Sequence, residues 1–256
     1  MALQKKIAVI LCIIVGGLLA VGLSSQMWKF YMFGVQEAPW WMESFLKLVD
    51  LDRENNLPTW YSSTALFANS VLFGLIGWAK RHNGESYDKH WLALAGILLY
   101  LSIDEAASLH ERTSWIAEVL LHRTGLDSDY FYYGWVLFGI GAVLIVGILY
   151  WHFIFDLPKE ISRWFFLAGF LYAGGAIGFE LFEGKIFATE NKVTLTFALL
   201  VVVEEGMEMF GVVASICGAL SYMNREDMRK SLLCLQQDAM GNLSAGHDSS
   251  STQRTH

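Results

Sequence analysis

Apolar residues gather along this chain into six long runs separated by short polar stretches. The runs cover approximately residues 7–26, 61–80, 91–111, 131–153, 164–183 and 196–222. Each approaches the ~20 residues that an α-helix needs to cross the hydrocarbon core of a bilayer. The pattern predicts an all-α fold, a polytopic membrane helix bundle of about six transmembrane helices. The first run follows Lys5 and Lys6, as a signal peptide would. It is longer than a typical signal h-region and no A-x-A site follows, which predicts an uncleaved anchor; cleavage would leave five spans.

Two connections between the runs carry a pattern of their own. Residues 39–52, PWWMESFLKLVDLD, place apolar and acidic groups at helical spacing, with Trp40 and Trp41 suited to a membrane interface. Residues 114–123, SWIAEVLLHR, do the same. Both predict short interfacial helices on the outer side, either resting on lipid or roofing a site. The division expected is a transmembrane domain over 1–222 and a cytoplasmic, largely disordered tail over 223–256, Ser-rich and apolar-poor from about residue 238. No internal repeat is evident. Gly174 and Gly178 form a GxxxG beside Gly169 and Gly175, a spacing that close helix packing explains.

Composition agrees with a membrane class: of 256 residues, 54% are hydrophobic and 14% aromatic, and mean hydropathy is +0.39. Placement of Lys and Arg sets the expected orientation. With the N-terminus cytoplasmic, the inner flanks carry Lys5, Lys6, Lys80, Arg81, Lys89, Lys159, Arg163, Arg225, Arg229 and Lys230. Both termini are then inside a plasma or inner membrane. Cys12, Cys217 and Cys234 have no disulfide or metal-ligand spacing. The net charge of −7 needs a local explanation in so apolar a chain, and it offers nothing to a nucleic acid. The sequence leaves oligomeric state open.

That explanation lies in three of the runs. The third ends in LSIDEAASLHER, with Asp104, Glu105, His110, Glu111 and Arg112; the fifth in GFELFEG, with Glu180 and Glu183. The sixth holds Glu204, Glu205 and Glu208 within VVVEEGMEMFGVV. At ~1.5 Å per residue from the cytoplasmic ends, Asp104 stands ~20 Å up and Glu111 ~30 Å. Glu180, Glu183, Glu204 and Glu208 stand between ~26 and ~32 Å, so the three sets share the outer third of the membrane. At ~100° per residue, each helix points its acids one way. His110 is the exception, about 100° from Glu111, and it joins the others only if the helix loosens near its end.

Carboxylates in a dry site hold protons or bind a cation. Arg112 falls near Glu105 on the helical wheel, which allows one ion pair, and Lys185 is the other nearby fixed cation. Too few cations remain for eight acids. A carboxylate-rich set with at most one imidazole suits Fe, Mn, Ca or Mg better than Zn, and room exists for a dinuclear site. The expected ligands are Asp104, Glu180, Glu204 and Glu208, joined by Glu111, Glu183 and His110. Glu105 and Glu205 are the candidate general bases. The di-iron carboxylate bundles use a related idea, but with Glu-x-x-His motifs that this chain lacks. An alternative is a structural cluster of hydrogen-bonded acids that pins three helices together.

Below the acids the runs are dry: WLALAGILLYLS, WFFLAGFLYAGGAIG and MFGVVASICGALSYM hold no acidic or basic side chain, only tyrosine phenols and the Cys217 thiol. A carrier needs a polar route through both halves of the membrane. A one-sided site at headgroup level instead predicts a metal-dependent hydrolase or oxidoreductase, acting on a lipid or other hydrophobic small molecule. The alternatives are a proton- or divalent-cation-coupled transporter or channel, and a metal- or pH-sensing subunit. No Ser-His-Asp set, phosphate loop or cysteine nucleophile competes for the role.

Overall fold

A computed structural model of the chain describes residues 2–32, 39–124, 129–190 and 194–236. All regular structure among them is helical, with no strand. Helix α1 is Ala2–Met32, the short α2 Trp40–Leu48, α3 Leu57–His82, α4 Asp88–Ala107 and α5 Leu109–Thr124. After a 3₁₀ turn at Asp129–Phe131 come α6, Val136–Asp156, and α7, Lys159–Ala173. A π-helical stretch, Gly174–Phe179, joins α7 to α8, Glu180–Glu190. Helix α9 is Leu195–Met223, and a further helix, α10, occupies residues 226–236.

Five helices are long and apolar enough to cross a membrane: α1, α3, α4, α6 and the composite α7–π–α8. Their outward faces are apolar and exposed, as at Ile13 on α1 and Ile145, Ile148 and Leu149 on α6. Helix α9, equally long, is the most enclosed element and forms the central column. Its glycines set how closely the others approach. A Cβ at Gly211 would stand 2.8 Å from the Tyr172 backbone nitrogen, and one at Gly218 2.8 Å from the Phe165 ring. On the α1 side, Gly206 faces Leu19 at 3.1 Å in the same sense.

Several expected boundaries move. The third run does not continue to residue 111: α4 stops at Ala107, because Ser108 is left-handed (φ 49°, ψ 48°) and breaks the helix. The fourth starts at Val136, after the 3₁₀ turn. The fifth runs on to Glu190, and Phe45 with Trp40 and Trp41 leaves α2 broadly exposed, while α5 buries Ala117 and Leu121. Of the GxxxG pair only Gly174 approaches α9, where an added Cβ would stand 3.0 Å from Met207 Cε. A Cβ at Gly178 would meet nothing within 4 Å, whereas one at Gly175 would meet α9 at 2.9 Å.

Local chemistry explains the ends. Asn56 caps α3 by accepting from the Thr59 backbone N–H at 2.9 Å, with Pro58 in the first turn and Lys80, Arg81 and His82 in the last. Thr194 caps α9 through Phe197 N–H at 3.1 Å. Helices α3 and α4 are laced by serines: Ser63 Oγ donates to Ser102 O at 2.7 Å, and Ser70 Oγ to Ala95 O at 2.7 Å. Small polar side chains that reach across to backbone carbonyls let two helices pack closely without leaving polar atoms unpaired. At the far end Trp91, Phe153, Phe73 and Tyr222 build an aromatic core that Met228 of α10 joins. The expected disordered stretch from about residue 238 lies outside the described residues.

Candidate metal centre

The loop between α2 and α3 carries a residue that helical periodicity does not single out, Glu54. The loop is anchored by Asp50, 2% exposed. Asp50 accepts from Gln26 Nε2 at 2.9 Å and pairs with Lys29 at 2.8 Å and Arg53 at 3.2 Å. Helix α1, longer than its apolar run, brings Gln26 and Lys29 to that level. Asn56 ties the same loop down by donating to Asp50 O and Arg53 O. Glu54 is thereby held over the ends of α4 and α5.

Ser108 brings the second partner. Its left-handed turn ends α4 with Ser108 N–H donating to Asp104 O at 2.7 Å, and α5 restarts at Leu109. The turn carries His110 back onto Asp104. His110 N–H donates to Asp104 Oδ1 at 2.8 Å, and His110 Nδ1 meets Asp104 Oδ2 at 3.0 Å. Among the described residues, Glu54, His110 and Glu111 bring ligand atoms within 4.8 Å of one another. With Nδ1 occupied by Asp104, Nε2 is the ring nitrogen left for a ligand. Glu54 Oε2 is buried without a hydrogen-bond partner among the described residues.

A left-handed serine is strained by its Cβ, and glycine is not. Ser108→Gly should therefore keep the fold and raise its stability by up to ~1 kcal/mol, and Ser108→Val should lower it by a similar amount. Thermal unfolding of the purified variants reads the difference.

Trp135 links this group to the other acids. Its ring packs 4.8 Å from His110, and its Nε1–H donates to Glu180 Oε1 at 2.8 Å. Beyond Glu180, the carboxyls of Glu183 and Glu204 lie within electrostatic reach of each other. Glu183 is 4% exposed, and its Oε1 has no partner among the described residues. Glu208 lies within electrostatic reach of Glu205, Glu105, Glu180 and Glu183, and Glu205 within reach of Glu105 and Glu54. The acids of α4, α8 and α9 thus form one continuous shelf, with Glu54, His110 and Glu111 at its outer edge. Glu105, Glu180, Glu204, Glu205 and Glu208 are half-buried.

No lysine or arginine pairs with this shelf among the described residues. Arg112 is exposed and makes no ion pair with Glu105, because the Ser108 break places it on a different helix from Glu105. Lys185 donates to Tyr130 OH at 2.6 Å and lies 4.2 Å from that ring centroid. At the outer edge, burial holds the Glu54 pKa above the usual carboxylate range; His110 pulls it down, and Glu111 and Asp104 push it up. Burial disfavours charge on His110, but the Asp104 hydrogen bond and the charges of Asp104, Glu180 and Glu111 prevail. The His110 pKa therefore lies above its ordinary value.

The donors fit a divalent ion. Two carboxylates and one imidazole, the imidazole steadied by a second carboxylate, form the ligand set and backing that borderline and hard cations take. Glu54 and Trp135 are the residues that sequence reasoning missed. Glu54 sits in the acid-dense loop DLDREN, where composition alone marks it. No curated protein and no solved structure matches the chain. Residues 11–223 match the family model described as Domain of unknown function (DUF8692), and the chain belongs to that family.

Proposed function

We propose that this chain is a six-span membrane protein that binds a divalent metal at one end of the bundle, and that it acts there as a metal-dependent hydrolase or oxidoreductase on a lipid or other hydrophobic molecule. The sixth span is α9. Both termini are cytoplasmic, and the acidic end faces outward. The observation that carries the reading is the convergence of Glu54, His110 and Glu111, with Asp104 behind the histidine.

Each residue has a task in this reading. Asp104 fixes the tautomer and direction of His110. Glu54, Glu111 and His110 Nε2 hold the ion, which would supply Lewis-acid or redox chemistry. Glu105 and Glu205, deeper on the shelf, accept protons. Fe or Mn suits a site with one nitrogen, and the deeper acids Glu180, Glu183, Glu204 and Glu208 suit a second ion. A transporter would need ionisable groups below the shelf, and there α4 over 91–103, α7 over 164–173 and α9 over 209–223 carry no acidic or basic side chain.

Elemental analysis of the purified protein tests the reading. At least one equivalent of transition metal per chain is expected after washing with a weak chelator. Metal-free wild type that takes up neither Mn(II) nor Fe(II) on titration would sink it. Binding should also release protons, since Glu54 and His110 both hold them more firmly than usual. Affinity should therefore rise with pH, starting above the ordinary glutamate value of 4.5 and continuing past the ordinary histidine value of 6.5. Calorimetric titration with Mn(II) in two buffers of different ionisation enthalpy counts the protons.

A further inference from the structure

Directly beneath the acidic shelf lies a cavity of about 370 Å³ between α3, α4, α6, α7 and α9. That size is within the ~300–1,000 Å³ of small-molecule sites. It spans residues 66–73 of α3, 94–101 of α4 and 165–172 of α7, so it is ~10 Å tall along the bundle. The shelf begins one turn above it on two helices: Leu101 lines the cavity and Glu105 follows, and Gly211 lines it with Glu208 just above. Tyr172 stands at the junction, lining the cavity and lying within electrostatic reach of Glu208, Glu105 and Asp104. On the side of α6 and α7 the lining includes Trp151 and Phe166, 58% and 46% exposed, so the mouth opens sideways on the apolar outer surface.

The lining is nearly all apolar, with one conspicuous exception. Asn69 is fully buried at mid-height, and its Nδ2 donates to Ser215 Oγ at 2.8 Å. Its Oδ1 is buried with no partner among the described residues. An unpaired amide oxygen in a dry site is costly and is normally satisfied. A bound molecule that presents a donor there would satisfy it.

We infer that the cavity holds the aliphatic chain of a membrane-resident molecule that carries a hydroxyl or amide N–H donor for Asn69. The chain enters sideways between α6 and α7, and its polar end reaches past Tyr172 to the acids. This deepens the proposed function by naming its substrate class, and it rests on that reading only for the chemistry at the shelf.

Photolabelling tests it in nanodiscs, with a secondary fatty amide bearing a diazirine in its alkyl tail and the N-methyl tertiary amide as its donor-free counterpart. The secondary amide should label cavity peptides at least ~5-fold more strongly than the tertiary one. Asn69→Leu should erase that difference. Gly169 and Gly147 line the cavity, and a Cβ at either meets nothing within 4 Å, so both accept larger side chains without a backbone clash. Gly169→Leu should cut labelling by both amides at least ~5-fold with metal content unchanged. Gly147→Leu should do the same and serves where Gly169→Leu is not monodisperse. Equal labelling by the two amides in wild type, or undiminished labelling in a folded cavity-filled variant, overturns the inference. Metal-free protein that still labels as expected would remove the metal reading and leave the cavity standing. Stoichiometric metal without the labelling pattern would do the reverse.

Discussion

Gly175→Ala should destabilise the protein by ~1–3 kcal/mol, while Gly178→Ala, three residues on, should leave it unchanged or slightly more stable. A Cβ at Gly175 would stand 2.9 Å from Glu204 O, 2.9 Å from Glu208 Cγ and 3.3 Å from Glu208 N. Two of these three neighbours are α9 backbone, which cannot swing aside as a side-chain tip can. The π-helical stretch and α9 would have to part just where the acids meet. At Gly178 the same methyl meets nothing within 4 Å, and alanine gains its usual helical advantage of ~1 kcal/mol over glycine. Thermal unfolding in detergent compares the pair. Equal effects would mean that the contact between Gly175 and α9 does not hold the bundle together. Because the clash falls on Glu204 and Glu208, Gly175→Ala should also disturb the shelf, whereas Gly178→Ala should not.

The contrast between Gly175 and Gly178 shows where sequence reasoning reaches its limit. Periodicity locates the helices because apolar burial has a 3.6-residue repeat that composition records directly. It does not record which face of a glycine meets a neighbour. The π-helical turn over Gly174–Phe179 makes that harder, since it shifts the register of Glu180 and Glu183 relative to the start of the same span. Such turns recur at functional sites, and this one ends at Phe179, one residue before the first acid of α8.

Glu105, Glu180, Glu183, Glu204, Glu205 and Glu208 were legible as acids of one level because depth follows from helix rise. His110 and Glu54 were harder for separate physical reasons. His110 depends on a left-handed serine, and nothing in LSIDEAASLHER requires serine to leave the helix there. Glu54 depends on a loop whose path is fixed by Asp50, Lys29, Gln26 and Asn56, contacts between residues distant in sequence. Loop geometry has no period to read, so only the density of acids in DLDREN marked the stretch.

Removing His110 or Glu54 should cost most of the metal, and removing Asp104 should cost an intermediate amount. His110→Ala deletes the one nitrogen donor in the group, and Glu54→Gln exchanges a charged ligand for a neutral amide of the same shape; each should weaken Mn(II) binding by at least ~100-fold. Asp104→Asn keeps the ring in place but weakens its orientation and basicity, which in metal sites typically costs ~10–100-fold. Glu204→Gln and Glu208→Gln lie on the far side of Trp135 and Glu180. If one ion binds, they should leave its affinity within ~3-fold while altering any reaction at the shelf; if two bind, stoichiometry should fall from two to one. Calorimetry and elemental analysis on the same preparations give affinity and number together. A ranking in which Glu204→Gln empties the protein while His110→Ala does not would move the centre to the inner acids. It would also leave the contact between His110 and Asp104 with a purely structural task at the α4–α5 break.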